Sequence, residues 1–420
     1  MRVELKYGDG WLPVELDAGD VRVMEPAELP ALPDERRAFA VAVRHPIERA
    51  PLSDIVKRGE RLAIAIADST RPLPSARLLP WLFEELAELR PEDVVILSGT
   101  GSHRANTREE LARLVGDDLL SRCRVVNHDA RDPEQAVEVG VSRDGHRVKL
   151  NRHWVEADRR IALGFIEPHF MAGFSGGYKG VFPALADIDS IVHYHRASVI
   201  ADPKSTWGLF DGNPTQALIR ECGAMVPLDF LINVTLDRHY AITGCFAGHP
   251  ISAHEAGAEV VKRAAMVACE EPFPIVVTTN AGAPLDQNLY QAVKGMCAAA
   301  QVIEKGGLIV TAARCNDGFP EHGNFKRLLF EHASPQSILD TVLRPGFSLF
   351  DQWEAQKLAM VAVRARIGLF SELDAASVRR AHLEPVTDVA ERVALELARI
   401  GKSARVLVLP EGPMTVPYLA

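Results

Sequence analysis

The six cysteines, Cys123, Cys222, Cys245, Cys269, Cys297 and Cys315, include no Cys-x-x-Cys pair. That excludes a zinc ribbon and a thioredoxin-type redox motif. Their wide spacing suits reduced, mostly buried thiols and a cytoplasmic location. Aromatic residues are scarce, at 6%, too few for a stacking surface that holds single-stranded nucleic acid. Positive charge is also short. Forty-seven Lys and Arg face 56 Asp and Glu, a formal charge of -9, which is the wrong sign for a general nucleic-acid binder. A few local cations still suffice to hold one carboxylate. No stretch reaches the roughly 18–20 apolar residues of a membrane-spanning helix. Residues 1–10 have no apolar signal core, and neither internal repeats nor low-complexity segments stand out. The expectation is a cytoplasmic protein with neither nucleic acid nor membrane as partner.

A chain of 420 residues is too long for one hydrophobic core, so two or three domains are expected. Apolar runs of strand length alternate with helical patterns, the mark of an α/β protein with parallel sheets. Strands are expected at 62–67, 94–97, 124–127 and 160–166, a hairpin across 136–150, and a strand pair at 230–235 and 241–246. Helices are expected from the Pro72 turn to about 89, from about 107, over 187–200 and over 252–267. A second α/β pattern starts near 270, with strands at 275–279, 308–312, 367–370 and 406–409 and helices at 286–300, 353–364 and 388–400. The fold class read from this is α/β, with two domains, each a mainly parallel sheet flanked by helices, and an active site in the cleft between them. The boundary falls at 269/270, giving a catalytic, cofactor-anchoring domain at 1–269 and a second α/β domain at 270–420.

Chemistry concentrates in loops that follow strands, where ligands bind in open α/β sheets. Residues 164–180 read Gly-Phe-Ile-Glu-Pro-His-Phe-Met-Ala-Gly-Phe-Ser-Gly-Gly-Tyr-Lys-Gly. His169 leaves the strand behind a rigid proline, and Lys179 follows a turn containing Ser175, Gly176 and Gly177. The loop after 62–67 holds Asp68, Thr70 and Arg71. The loop after 94–97 holds Gly99, Thr100, Gly101 and His103. Glycine turns let backbone N–H groups approach an anion, although this loop is neither a Walker A motif nor G-x-G-x-x-G. Each residue also has a plainer reading: Arg71 paired with Asp68, His103 and His169 as hydrogen-bonded structural imidazoles, Lys179 on the surface. Two histidines from converging loops supply the two bases that inversion of one carbon needs. Lys179 is able to serve as a Schiff-base nucleophile, an anion clamp or a covalent tether. His193 and His195 lie two apart on the expected helix and so cannot both face one metal.

Further along, Tyr290 and Lys294 share a helix face with Gln291 between them. A phenol, an amide and an ammonium together can hold a carboxylate; a capped helix with a solvated face is the plainer alternative. Trp353 either walls a pocket or packs in the core.

Taken in order, Asp-x-Thr-Arg-Pro, Gly-Thr-Gly-x-His-Arg, Pro-His-x3-Gly-x-Ser-Gly-Gly-x-Lys, a histidine sixteen residues after that lysine, and Tyr-Gln-x-x-Lys-Gly resemble the nickel-pincer-dependent lactate racemase family over most of the chain. The resemblance implies a racemase or epimerase that inverts C2 of a 2-hydroxy acid. Hydride would pass to and from a nickel-pincer nucleotide held covalently on Lys179, with His195 as the nickel ligand and His103 and His169 as acid and base. Asp68, Thr70, Arg71, Gly99, Thr100, Gly101, Ser175, Gly176 and Gly177 would line the cofactor, and Arg71, Tyr290, Gln291, Lys294 and Trp353 the substrate. Cofactor-synthesis enzymes would be partners. Bulk around Tyr178 and His193-Tyr194-His195-Arg196 departs from the lactate pattern and widens the expected substrates to other 2-hydroxy acids. Two alternatives stay open: a Schiff-base lyase or aldolase built on Lys179, and a non-catalytic protein that binds a phosphorylated ligand.

Overall fold

The computed structural model describes residues 1–320 and 323–420. Two compact units divide the chain. One comprises Glu28–His195 and Lys204–Lys262; the other comprises Met1–Ala27, Arg196–Pro203 and Arg263–Ala420. The C-terminal unit thus takes in the first 27 residues, which the sequence reading had left with the catalytic part.

The larger unit is built on a six-stranded sheet. Its order is Ile242–Gly248, Phe230–Leu236, Arg159–Phe165, Leu62–Ala67, Val94–Gly99, Arg124–Asn127. Every neighbour pair is parallel except the first, which is the expected strand pair and runs antiparallel. Leu62–Ala67 is apolar throughout and buried on both faces, as central strands of a parallel sheet are. Leu62, Ile64 and Ile66 pack with Phe39, Leu78, Leu82 and Ile161 in one core, each side chain contributing about 1.5–3 kcal/mol on burial. The strand ends are therefore fixed points from which the functional loops depart. The helix Arg108–Val115 starts from a Thr107–Glu110 capping box. Glu110 also pairs with Arg104 at 2.7 Å, which steers that side chain away from the preceding glycine loop.

The C-terminal unit carries a second six-stranded sheet. Glu384–Val386, Arg366–Phe370, Ile303–Ala312, Phe273–Thr279, Arg405–Leu409 and Asp20–Val23 lie in that order, all parallel. Asp20–Val23 completes the edge, with Val21 opposite Val406. The hairpin Arg2–Tyr7 and Gly10–Glu15 lays Val3, Leu5 and Val14 against Val393 and Leu397 of the helix Val389–Ile400.

The expected helix over 187–200 is broken. Ile188–Tyr194 and Ala197–Ile200 are separate helices. His195 caps the first, and Arg196 is extended at φ -62, ψ 145. The expected helix over 252–267 stops at Ala265, because Met266–Cys269 pairs as a strand with Val416–Leu419.

Candidate active site

Arg159–Phe165, Leu62–Ala67 and Val94–Gly99 are neighbouring parallel strands, so the loops after their C-terminal ends issue from one edge of the sheet. Asp68 is the first residue beyond its strand and is buried. Its Oδ2 lies 2.7 Å from Nδ1 of His103. Its Oδ1 accepts from the Thr70 hydroxyl at 2.6 Å and from the Thr70 amide at 3.2 Å. Burial pushes the Asp68 carboxyl up. The hydrogen bond and charge of His103, the charge of Arg71 and the Thr70 hydroxyl outweigh it, so the net shift is downward. An ionised carboxylate only accepts, so Nδ1 of His103 carries a proton. Asp68 therefore pairs with His103, while Arg71 acts on it through charge and through the turn bond from its amide to the Asp68 carbonyl, 3.1 Å.

Little of the Gly99 to Gly101 loop is left for a ligand. The Thr100 hydroxyl donates to the His128 carbonyl, and the Gly101 amide to the Ala184 carbonyl at 3.0 Å. A Cβ on Gly99 would lie 2.9 Å from that of Ala184, so this glycine serves close packing.

The His169 loop is a folded tongue. The Ser175 hydroxyl accepts from the Glu167 amide at 2.9 Å and donates to the Phe165 carbonyl at 3.1 Å. Pro168–His169 pairs with Gly173–Phe174. Nδ1 of His169 accepts the amides of Met171 and Ala172, at 3.2 and 3.1 Å.

Beyond the tongue, the Gly177 amide donates to Oδ1 of Asn233 at 2.8 Å. Gly177 has φ +57, and a Cβ there would lie 2.3 Å from Nδ1 of His254. Burial pulls the His254 pKa down to about 4, so the ring is neutral and its Nε2 donates to the Ser175 carbonyl at 2.7 Å. Asn233 and His254 were not singled out from sequence. An asparagine inside the apolar strand Phe230–Leu236 was the available signal, since a buried amide needs partners.

Lys179 lies in the short 3-10 turn Gly177–Gly180 and is an electrostatic neighbour of His195. Nδ1 of His195 donates to the Ile191 carbonyl at 2.9 Å, which places the lone pair on Nε2. Part of the ring stays accessible, yet burial against its apolar surroundings holds its pKa down, to about 3. The Lys179 charge adds to this and the Ile191 bond opposes it. A neutral imidazole fixed through Nδ1 on a carbonyl is the state of a metal-ligating histidine. His193 differs. Its Nε2 lies 3.0 Å from Asp144, and its ring stacks on His146 at 4.2 Å. Among the described residues, no three His, Cys, Asp or Glu side chains converge on a metal position. The donor set thus fits a group that brings most of its own metal ligands, with His195 adding one.

Four of the predicted residues lie in the C-terminal unit. Asn288 caps the helix Leu289–Ala299. Nζ of Lys294 donates to Gln291 at 2.8 Å, and Nε1 of Trp353 to the Tyr290 hydroxyl at 2.9 Å. Burial, then Asp351 and Glu354, push the Tyr290 phenol up, so it stays a neutral donor. Glu354, next to Trp353, and Lys357, one turn along, are buried charged groups that sequence reasoning missed. Burial raises the Glu354 carboxyl and lowers the Lys357 ammonium.

The scaffold is a parallel α/β one with imidazoles in the loops after its strand ends, and comparison with known proteins places it among the isomerases. The lactate racemase N-terminal domain matches residues 7–208 and the lactate racemase C-terminal domain residues 269–416. A lactate racemase of Thermoanaerobacterium thermosaccharolyticum is 35% identical over 375 residues, 88% of each chain. One of Lactiplantibacillus plantarum is 34% identical over 382 residues, 90% of each. The apoprotein structure of the T. thermosaccharolyticum enzyme superposes with TM-score 0.91 at 31% identity, covering 99% of this chain and all of that one. A Thermotoga maritima protein shares the fold, with TM-score 0.70 at 18% identity over 92% of this chain and 97% of that one. The chain belongs to the lactate racemase family, and its activity is that of a racemase.

Proposed function

We propose that the protein inverts C2 of a small 2-hydroxy acid, lactate or a bulkier relative, using a nickel-pincer nucleotide tethered to Lys179 and ligated by His195. The observation that carries this reading is the juxtaposition of Lys179 with a neutral His195 that keeps its lone pair on Nε2. When bound, that group supplies a reversible acceptor for the C2 hydride, so that C2 becomes planar and either face can be restored. The chain's own residues do the rest. His103 and His169 address the hydroxyl oxygen, where a proton leaves and returns. Asp68 holds His103 in one tautomer. Asn233 and His254 hold the turn that presents Lys179. Lys294 and Gln291 offer a cation and an amide to a carboxylate, and Tyr290 adds a neutral donor steadied by Trp353.

Intact-mass measurement on protein coexpressed with the cofactor-synthesis enzymes tests the reading. The expected result is a cofactor-sized adduct that disappears in Lys179→Ala, and nickel that is lost in His195→Ala but kept in His193→Ala. An adduct that survives Lys179→Ala removes the tether. A panel of single-enantiomer 2-hydroxy acids then identifies the substrate, and failure to invert any of them with loaded protein would overturn the proposal.

A further inference from the structure

The tongue that carries His169 is gripped from behind by residues 208–216, and the grip falls on three consecutive carbonyls. The Met171 carbonyl accepts from Nδ2 of Asn213 at 2.9 Å. The Ala172 carbonyl faces the side-chain nitrogen of Gln216 at 3.0 Å, in the amide orientation that also turns the Gln216 oxygen to Nε of Arg220 at 3.3 Å. The Gly173 carbonyl accepts the Gly208 amide at 3.0 Å. Met171, Ala172, Asn213 and Gln216 are all buried, where an unmade hydrogen bond costs most.

Asn213 does two jobs at once. Its Oδ1 caps the helix Pro214–Gly223, accepting the Gln216 amide at 3.1 Å. Ser, Thr or Asp would cap as well. Of these four only asparagine also carries an NH2 group. That nitrogen reaches Met171 and, at 3.1 Å, the Leu209 carbonyl of its own loop. The consequence reaches His169 through one peptide unit. A trans peptide is planar, so pinning the Met171 oxygen also aims the N–H on its other side. That N–H belongs to Ala172 and meets Nδ1 of His169 at 3.1 Å. The imidazole is half-buried, and this N–H together with that of Met171 sets where the ring points.

We infer, resting on the reading of His169 as a group that meets the substrate, that Asn213 is a positioning residue for the His169 ring and acts through the Met171–Ala172 peptide. Gln216 and Gly208 steady the two carbonyls that follow. The ring performs the same step with or without this clamp. What the clamp sets is the fraction of molecules in which the ring is aligned.

Asn213→Ser keeps a capping oxygen and removes the amide nitrogen. Thr215→Val is the control: it takes a buried hydroxyl, bonded to Ser205 at 2.9 Å, from the same helix start without touching the tongue. In full-length apoprotein, hydrogen exchange of the segment 168–176, read by mass spectrometry, is expected to quicken about three- to tenfold in Asn213→Ser, the scale of one hydrogen bond. Thr215→Val should leave it at the wild-type rate. The ring signals of His169, assigned in 15N-histidine spectra by their loss in His169→Gln, should shift in Asn213→Ser while those of the buried His128 stay in place. Gln216→Met leaves the cap and frees the Ala172 carbonyl, so it should quicken exchange in the same segment and decides the matter should Asn213→Ser fail to fold. In loaded enzyme, Asn213→Ser should lower kcat by about 10–100-fold, the scale of a misplaced reacting group, with KM within about twofold. Wild-type exchange and ring signals in Asn213→Ser and Gln216→Met, or equal changes in Thr215→Val, overturn the inference. Loaded wild type that inverts no 2-hydroxy acid overturns the functional reading instead, and the apoprotein measurements still decide the clamp.

Discussion

Gly177→Ala is expected to be among the most damaging single-methyl additions in the chain. The position has φ +57, and the new Cβ would lie 2.3 Å from Nδ1 and 2.7 Å from Cγ of His254. The left-handed backbone costs an alanine about 1–2 kcal/mol. Forcing a methyl into a packed wall costs about 1–3 kcal/mol more. His254 has little room to retreat, because its Nε2 is bonded to the Ser175 carbonyl and its ring meets Phe210 edge to face at 5.1 Å. A loss of about 2–5 kcal/mol follows, or a fall in Tm of about 5–15 °C for a unit of this size. Gly180→Ala, three residues on, meets nothing within 4 Å and should stay within about 0.5 kcal/mol of wild type. The assay is thermal and urea unfolding of wild type, both single variants, His254→Ala and the double variant. Without the imidazole, Gly177→Ala should retain only the backbone part of its cost, so the cycle shows a coupling of at least about 1 kcal/mol. Wild-type stability for Gly177→Ala, or an unchanged cost in the His254→Ala background, would refute the reasoning.

Glu396 is a buried carboxylate held by Arg366, Arg392 and Arg399. Burial pushes it up, but the hydrogen bonds from Arg366 and Arg399 pull it down to about 2. A depressed carboxylate stabilises the fold above its ordinary range and loses that contribution as pH falls toward 2. Glu396→Gln should therefore lower Tm at neutral pH and flatten the acid limb of Tm against pH, and an unchanged acid limb would contradict this. The hydroxyl of Tyr194 is buried with no hydrogen-bond partner among the described residues, so Tyr194→Phe should raise stability by about 1 kcal/mol; a loss on urea unfolding would show that the hydroxyl is satisfied. Trp353→Phe removes the 2.9 Å donor to Tyr290 and should raise KM more than it lowers kcat if Tyr290 serves substrate binding.

The sheet of the larger unit was legible because its strands are buried on both faces. Runs such as Leu62–Ala67 and Arg159–Phe165 need no partner to be recognised, and the loops after them follow at once. What joins those loops was not legible. Asp68 and His103 are separated by a strand and a helix, and only the sheet order brings them together. Which nitrogen of His169 carries the proton depends on the path of Met171 and Ala172, a tongue too irregular to leave a periodic trace. The break at His195 was hidden by apolar residues at helical spacing, Ile188, Ile191, Val199 and Ile200, which read through Arg196 as one helix. Asp20–Val23 went unseen because four residues with a half-exposed face give no alternation to detect. Tyr290, Gln291, Lys294 and Trp353 were visible as side chains, but the burial of Glu354 and Lys357 depends on tertiary packing and leaves no trace in the sequence.

Asp20–Val23 also dictates an order of events on the ribosome. The strand emerges long before its neighbour Arg405–Leu409. The six strands of the Glu28–Lys262 region can assemble meanwhile, and the edge strand Asp20–Val23 must wait without its partner. A fragment starting at residue 270 would receive neither that strand nor the hairpin before it. It would bare the Arg405–Leu409 edge and the Val393–Leu397 face, an exposed template for pairing between chains. Deposition of such a fragment in inclusion bodies, and its rescue by supplying residues 1–27 as a separate peptide, would mark the first segment as a strand delivered late to a distant sheet.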